Sequence, residues 1–333
     1  MIARQSIQGS IVDSEPSKHL LTEAALAVYV RRTPISEKTM AADHLPATAS
    51  IEDAVTILRD LGYVIIDELV PPEVMDKIQQ EVDPYMPEVL FGNDNFLGKQ
   101  TKRVGSLIAR SPTCRDLVMN QLVLGITSKL LERASSYQVH LTQLIELAPG
   151  SPAQKLHQDE LVWDMYDFPT DYHLQCNTLW AMTDYTEEMG ATRIVPRSQE
   201  AGKLAKFSFE DTIPAVMKRG SVLIYTGKVY HGAGENKSNR IRQALNLTYC
   251  VGWVRQEENQ YLSCPIEVAR TLPEDLLKLM GYRTGSFALG YIRDFEDPMV
   301  AIRDDGEKRI VGTLEVKNMV QSEATSTFLE GIN

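Results

Sequence analysis

The feature that most constrains this fold is a change near residue 140 from helix-like to strand-like residue patterns. Beyond it, short runs rich in Val, Ile, Leu, Thr and Tyr recur, separated by turn residues such as Pro149-Gly150 and Arg219-Gly220. The runs with strand-like composition are 140–147, 174–184, 192–196, 221–226 and 243–251. Helical patterns do not separate them at regular intervals, which argues against a doubly wound parallel sheet. We therefore predict a mainly β fold, an antiparallel sandwich or jelly roll with flanking helices packed outside.

The residues before this change supply the predicted helices. Apolar residues at helical spacing begin at Ile51 and stop at Gly62, a residue typical of helix C-termini. A buried strand is expected at 63–66, and Pro71-Pro72 opens a second helix where a missing N–H costs least. A third helix is predicted from about Thr113 to Leu131.

The patterning divides the chain into three parts. Residues 1–48 are mixed and weakly patterned, so we expect an N-terminal extension. Residues 49–303 carry the helices and strands of the predicted β domain. Residues 304–333 are polar, and we expect a peripheral C-terminal tail.

Charge and composition narrow the function classes. The formal net charge of −11 disfavours a nucleic-acid or membrane-surface role, because such a surface repels phosphate groups. The longest apolar runs are too short for a membrane span, and no secretory signal is visible. The four cysteines form no C-x-x-C pair, so neither a disulfide framework nor a thiolate zinc site is indicated. We expect a cytoplasmic protein that acts on a small molecule, with a homodimer left open.

His157 and Asp159 are the first candidate metal ligands. They stand two residues apart, and on a strand such residues point to the same face, where both can reach one ion. With six histidines and 45 acidic residues, about one such pair is expected by chance. The pair therefore predicts little by itself.

His231 strengthens the prediction because it follows the strand-like run 221–226 and precedes the glycines of 232–234. A closed jelly roll can bring a ligand from a later strand beside an earlier pair. Two imidazoles and one carboxylate leave three octahedral positions open, which suits iron(II) and oxygen. Zinc is the main competitor, but the patterns typical of catalytic zinc sites are absent from the sequence. The histidines expected to be ordinary surface or core residues are His19, His44, His140 and His173.

Three separate motifs resemble those of the phytanoyl-CoA dioxygenase family. ELAPGSPAQKLHQD at 146–159 resembles the family's first iron-ligand segment, and TDYTEEMGATRIVPRS at 183–198 resembles its central strand and turn. GSVLIY at 220–225, followed by His231 and Arg242, is similar to its second ligand segment. The three occur in order with compatible spacing, and the resemblance covers roughly residues 50–290.

This resemblance implies a double-stranded β-helix, iron(II) held by the three ligands, O2, and oxidative decarboxylation of 2-oxoglutarate to succinate. The distal carboxylate of 2-oxoglutarate needs a cation, and an arginine offers a two-pronged contact. Arg242 stands 11 residues after His231, where the family keeps this arginine. Arg240 is the nearby rival, but the register of the following strand favours Arg242. Gln154 and Thr192 match positions whose polar side chains contact the co-substrate in relatives; the alternative is that they are ordinary polar residues at strand edges.

The sequence differs from the family motif at one position, and two groups of residues each allow two interpretations. Met189 replaces the Asn common in this turn, and the presence of Asp159 disfavours halogenation, which needs a small residue there. Lys102 and Arg103 either meet an anionic group or are solvated charges. The residues that either form an apolar lid over the substrate or pack on the barrel are Trp163, Met165, Tyr166 and Phe168.

The predicted function is hydroxylation, or another oxidation, of an unactivated C–H bond in a small, largely apolar metabolite, as in secondary metabolism. Two alternatives stay open. A non-oxidative metalloenzyme on a cupin-like barrel would not need Arg242, and a binding protein on the same barrel would not need an intact ligand triad.

Overall fold

The computed structural model describes residues 43–303, except 165, 167 and 287. The predicted tail and most of the predicted extension therefore lie outside the described residues, as does His19. Residues 44–46 of the extension form a short strand that pairs with the domain. All four cysteines are buried and free, and no helix of the described part is long and apolar enough to cross a membrane.

The described residues form the following strands and helices. The strands are β1 (His44–Pro46), β2 (Tyr63–Asp67), β3 (Thr101–Val104), β4 (Tyr137–Leu147), β5 (Gln175–Ala181), β6 (Arg193–Ile194), β7 (Ile213–Pro214), β8 (Val222–Thr226), β9 (His231–Gly232) and β10 (Arg242–Val251). The helices are α1 (Ile51–Leu61), α2 (Pro72–Val82), α3 (Leu107–Arg110), α4 (Pro112–Val118), α5 (Gln121–Leu130), α6 (Gln260–Ser263), α7 (Ile266–Ala269), α8 (Glu274–Leu279) and α9 (Val300–Arg303).

Two antiparallel sheets form the body of the domain. The larger sheet has the strand order β1-β2-β8-β5-β10-β4-β3, with only the β1–β2 pair parallel. The smaller sheet has the order β7-β6-β9. Four of the six neighbouring pairs in the large sheet join strands that are not consecutive in sequence, as predicted for a jelly roll.

Alternation along the strands sorts apolar side chains into two buried layers. Trp180 on β5 belongs to the layer that includes Leu58 of α1 and Ile78 of α2, between the large sheet and the helices. Leu179, one residue earlier, belongs to the inner layer with Ile194 of β6. This alternation follows from the two-residue period of a strand. Polar residues on the inner face of β5 are therefore exceptions to this apolar pattern, and a function has to explain them.

The prediction of a single third helix is wrong, because two helices, α4 and α5, occupy this segment. α4 ends at Val118, and α5 begins after Asn120, whose side chain accepts a hydrogen bond from Val123 N at 3.2 Å. Asparagine competes for backbone N–H groups, so it favours the start of a helix over its interior.

Candidate metal centre and co-substrate cavity

The structure brings His157, Asp159 and His231 together between the two sheets. One ligand atom from each lies within 4.8 Å of the others. His157 Nε2 is 3.4 Å from Asp159 Oδ1, and His231 Nε2 is 3.4 Å from Asp159 Oδ2. These are the only three such residues clustered in this way within the described part of the chain.

Both imidazoles are held by their own backbone. His157 and His231 exchange two backbone hydrogen bonds of 2.9 and 3.0 Å across an isolated bridge. His157 Nδ1 lies 2.9 Å from Lys155 O, and His231 Nδ1 lies 3.1 Å from Val229 O. Donation from each Nδ1 to these carbonyls would leave both Nε2 atoms available to bind a metal ion in place of a proton.

The segment carrying Asp159 differs from the predicted strand. His157 lies in the bridge to His231, but Asp159 begins a 3-10 helix, Asp159–Val162. The two side chains still converge because Gln158 between them is extended, with φ −112° and ψ 135°. Asp159 thus reaches the site without a strand partner of its own.

Charge within the triad keeps the carboxylate ionised. Burial raises the pKa of Asp159, but the charge of His231 and the hydrogen bond and charge of His157 outweigh it and hold the value at about 2. Burial lowers the pKa of His231. Burial also acts to lower the pKa of His157, but the hydrogen bond to Asp159 outweighs it and raises the value. An ionised carboxylate beside two imidazole nitrogens is the donor set that a divalent metal requires.

Two further side chains contact the Asp159 carboxylate. Asn177 Nδ2 on β5 donates to Asp159 Oδ2 at 2.8 Å. The Tyr225 hydroxyl on β8 also bonds to Asp159, and burial, followed by the charge of that carboxylate, raises the pKa of this phenol well above its ordinary value. The sequence prediction missed both residues. In the sequence, each of them is a polar group within a run of residues that is typical of a buried strand.

The triad opens into a cavity of about 430 Å³, which Gln154, Thr192 and Arg242 also line. Arg242 is 3% exposed, and its Nη1 donates to Gly190 O at 2.6 Å. Its guanidinium lies 4.7 Å from the centre of the Tyr185 ring, and its Nε is buried with no hydrogen-bond partner among the described residues.

The structure also gives the positions of Arg240, the alternative to Arg242, and of the two predicted polar contacts, Thr192 and Gln154. Arg240 is exposed and does not line the cavity. Thr192 is 3% exposed. Gln154 has both ends of its amide engaged, because Nε2 donates to Phe96 O at 3.1 Å and Oε1 accepts from Ala233 N at 3.3 Å.

The two basic residues of β3 point in different directions. Arg103 lines the cavity and donates to Leu97 O, and burial, followed by the charge of Arg242, lowers the pKa of Arg103. Lys102 faces away, with Nζ 3.3 Å from Met86 O and 5.2 Å from the centre of the Phe91 ring.

The predicted lid residues pack elsewhere. Trp163 Nε1 donates to Arg255 O at 3.2 Å, and Phe168 packs against Tyr166 at 4.8 Å between ring centres. None of these three lines the cavity, and Met165 is outside the described residues. The apolar side chains at the mouth are instead those of Leu97 and Val162, both partly exposed.

Comparison with known proteins identifies the family. The sequence profile described as "Phytanoyl-CoA dioxygenase (PhyH)" matches residues 58–244, more than half of the chain. The chain belongs to the phytanoyl-CoA dioxygenase family. Membership confirms the resemblance seen in the three sequence motifs.

Two similar proteins come from Penicillium species. The chain is 31% identical over 299 residues to the dioxygenase olcK of Penicillium canescens, covering 85% of this chain and 94% of that protein. It is 30% identical over 256 residues to the multifunctional dioxygenase prhA of Penicillium brasilianum, covering 72% and 85%. The predicted enzyme class, an iron(II)- and 2-oxoglutarate-dependent dioxygenase of this family, is thereby confirmed.

Solved structures resemble the fold at low sequence identity. The epimerase SnoN, solved in complex with Fe3+, alpha ketoglutarate and nogalamycin RO, aligns with a TM-score of 0.52 at 15% identity, covering 67% of this chain and 90% of that one. HygX from Streptomyces hygroscopicus, with nickel and 2-oxoglutarate bound, aligns with a TM-score of 0.51 at 14% identity, covering 63% and 91%. These likenesses confirm the predicted double-stranded β-helix.

Proposed function

We propose that this dioxygenase oxidises an unactivated C–H bond of a small, largely apolar metabolite of secondary metabolism. One observation carries the proposal: a two-histidine, one-carboxylate cluster and a buried guanidinium with an unpartnered Nε line the same cavity. The first suits iron(II) and the second suits a carboxylate. A non-oxidative metalloenzyme has no use for the guanidinium.

His157, Asp159 and His231 fit iron(II) by their chemistry and by the way they are held. Three protein donors from one side leave coordination positions for a chelating ligand and for O2. When bound, iron(II) activates O2 for oxidation of the substrate while 2-oxoglutarate is converted to succinate and CO2. The protein's part is to hold the Nε2 atoms and the carboxylate still, which the bonds to Lys155 O and Val229 O support.

Arg242 fits the distal carboxylate of 2-oxoglutarate. One of its five N–H groups is engaged by Gly190 O, and Tyr185 supports one face of the guanidinium. The buried Nε–H has no hydrogen-bond partner among the residues that the structure describes, and a buried donor is costly unless a ligand satisfies it. Thr192 and Gln154 line the same region and are proposed as further contacts to the co-substrate, with Gln154 acting mainly by holding Phe96 in place.

The rest of the cavity supports a largely apolar substrate that carries oxygen groups. Its apolar wall consists of Leu141, Ile145, Leu147 and Leu179. Gln143 and Asn246 pair directly across β4 and β10 on the same wall, and Asn246 Oδ1 is engaged by Thr248 Oγ1 at 2.7 Å. The Asn246 amide N–H groups and the Arg103 guanidinium are therefore suited to carbonyl, hydroxyl or carboxylate oxygens.

Phe96 lines the cavity beside His157, one of the three proposed iron ligands. Its ring meets His157 edge-on, with 4.8 Å between ring centres, and its carbonyl accepts from Gln154. The ring is 50% exposed, so it covers one edge of His157 and leaves its other face to solvent.

The test is substrate-dependent succinate formation. The protein is supplied with iron(II), ascorbate, O2 and 2-oxoglutarate and screened against a panel of terpenoid, polyketide and alkaloid metabolites. We expect at least one panel member to raise succinate formation above the uncoupled rate and to gain one oxygen atom or lose two hydrogen atoms. Equal succinate formation by the wild type and by His157→Ala across the panel would contradict the proposal.

A further inference from the structure

Two carboxamides interrupt the apolar inner face of β5. Gln175 is 2% exposed and Asn177 is 1% exposed, and both lie on the strand face that two residues later carries Leu179. Burying an amide is costly unless its groups are hydrogen-bonded. Their contacts therefore indicate what these two residues are for.

The two amides form a chain that ends on the metal ligand. Gln175 Nε2 donates to Asn177 Oδ1 at 2.8 Å, and Asn177 Nδ2 donates to Asp159 Oδ2 at 2.8 Å. The first bond decides the orientation of the second amide. Because Oδ1 of Asn177 is engaged as an acceptor, its NH2 group has to face the carboxylate.

Asp159 depends on such support more than the two histidines do. His157 and His231 are held by a reciprocal backbone bridge and by carbonyls on Nδ1. Asp159 begins a 3-10 turn and has no strand partner. Its carboxylate can rotate about two side-chain torsions, and the bond from Asn177 to Oδ2 restricts both.

We propose that Asn177 is a positioning residue for the iron centre, orienting Asp159, and that Gln175 fixes Asn177 in turn. The inference rests on the proposed iron site. Gln175 lines the cavity, and its described hydrogen bonds do not reach the metal triad. Its proposed role in metal binding therefore acts through Asn177.

The test compares iron(II) affinity and the spectrum of the iron(II)–2-oxoglutarate complex under anaerobic conditions. Asn177→Leu removes the donor with little change of size, and Gln175→Leu leaves Asn177 in place but frees it to turn. Thr178→Val is the matched control, because Thr178 is a fully buried neighbour on β5 whose hydroxyl bonds to Leu247 O and Trp180 instead.

We expect graded effects in the three variants. Asn177→Leu weakens iron(II) binding roughly 10- to 100-fold, the usual range for loss of such a supporting contact, and shifts the visible charge-transfer band. Gln175→Leu has a smaller effect in the same direction, and Thr178→Val binds iron as the wild type does. If Asn177→Leu does not fold by near-ultraviolet circular dichroism, Asn177→Ala, which also lacks the donor and adds no charge, replaces it.

Wild-type affinity and an unshifted band in folded Asn177→Leu or Asn177→Ala would overturn the inference. Equal losses in Thr178→Val and Asn177→Leu would overturn it as well, by showing that general damage to β5 is the cause. A wild type that shows no band at all contradicts the iron site itself, so the two failures are distinguishable.

Discussion

Replacing Arg242 by glutamine tests how the cavity holds 2-oxoglutarate. Glutamine keeps an N–H donor for Gly190 O, which now accepts from Arg242 Nη1 at 2.6 Å, but removes the positive charge and the unpartnered Nε–H. Two hydrogen bonds to a carboxylate at about 1.5 kcal/mol each make the loss about 3 kcal/mol. Since about 1.4 kcal/mol corresponds to tenfold in affinity, the dissociation constant should rise roughly 100-fold.

The assay is anaerobic titration of the iron(II)-loaded protein with 2-oxoglutarate, followed in the visible spectrum. Arg240→Gln is the matched control, because it makes the same chemical change two residues away on an exposed side chain outside the cavity. We expect wild-type affinity from Arg240→Gln and unchanged iron(II) affinity from both variants. A 100-fold loss in Arg240→Gln, with Arg242→Gln within twofold of the wild type, would refute the reasoning.

Three further predictions concern stability. Manganese(II) with 2-oxoglutarate, each at about 100 times its dissociation constant, should raise the unfolding free energy by at least about 2.7 kcal/mol in the wild type and not in Asp159→Ala, measured by thermal unfolding. Burial lowers the pKa of His173 to about 4. Between about pH 6.5 and pH 4 the unfolded state therefore binds one more proton than the folded state, so the unfolding free energy should fall as the pH drops through this range. Urea unfolding of His173→Leu should show a weaker pH dependence there, and an unchanged slope would contradict this assignment. Asn120→Ala should lower the unfolding free energy by about 1 kcal/mol through loss of the α5 cap, whereas the same change at exposed Gln121 should cost much less.

Features determined by local sequence were predictable. α1 lies at Ile51–Leu61, with Ser50 as its N-cap and Gly62 at φ 85° as its C-cap, because both signals act within one turn of the helix. The strand β10 was expected at 243–251 and occupies Arg242–Val251. A residue's side-chain chemistry and a two-residue period suffice for such assignments.

The residues that support the proposed metal ligands were not predictable from one sequence. Asn177 meets Asp159 from a strand 18 residues away, and Tyr225 meets it from β8. Neither pairing leaves a local pattern, since it depends on sheet register, in which Asn177 and Tyr225 stand directly opposite each other. Arg103 and Lys102 were likewise inseparable until the register of β3 placed only Arg103 in the cavity.

The central claim is that His157, Asp159 and His231 bind iron(II) in a form that chelates 2-oxoglutarate. Its most direct test is to add iron(II) and 2-oxoglutarate to the protein without oxygen and record the visible spectrum. The account predicts a weak metal-to-ligand charge-transfer band in the wild type and its loss in Asp159→Ala. Absence of the band in well-folded wild-type protein, or its survival in Asp159→Ala, would contradict the account.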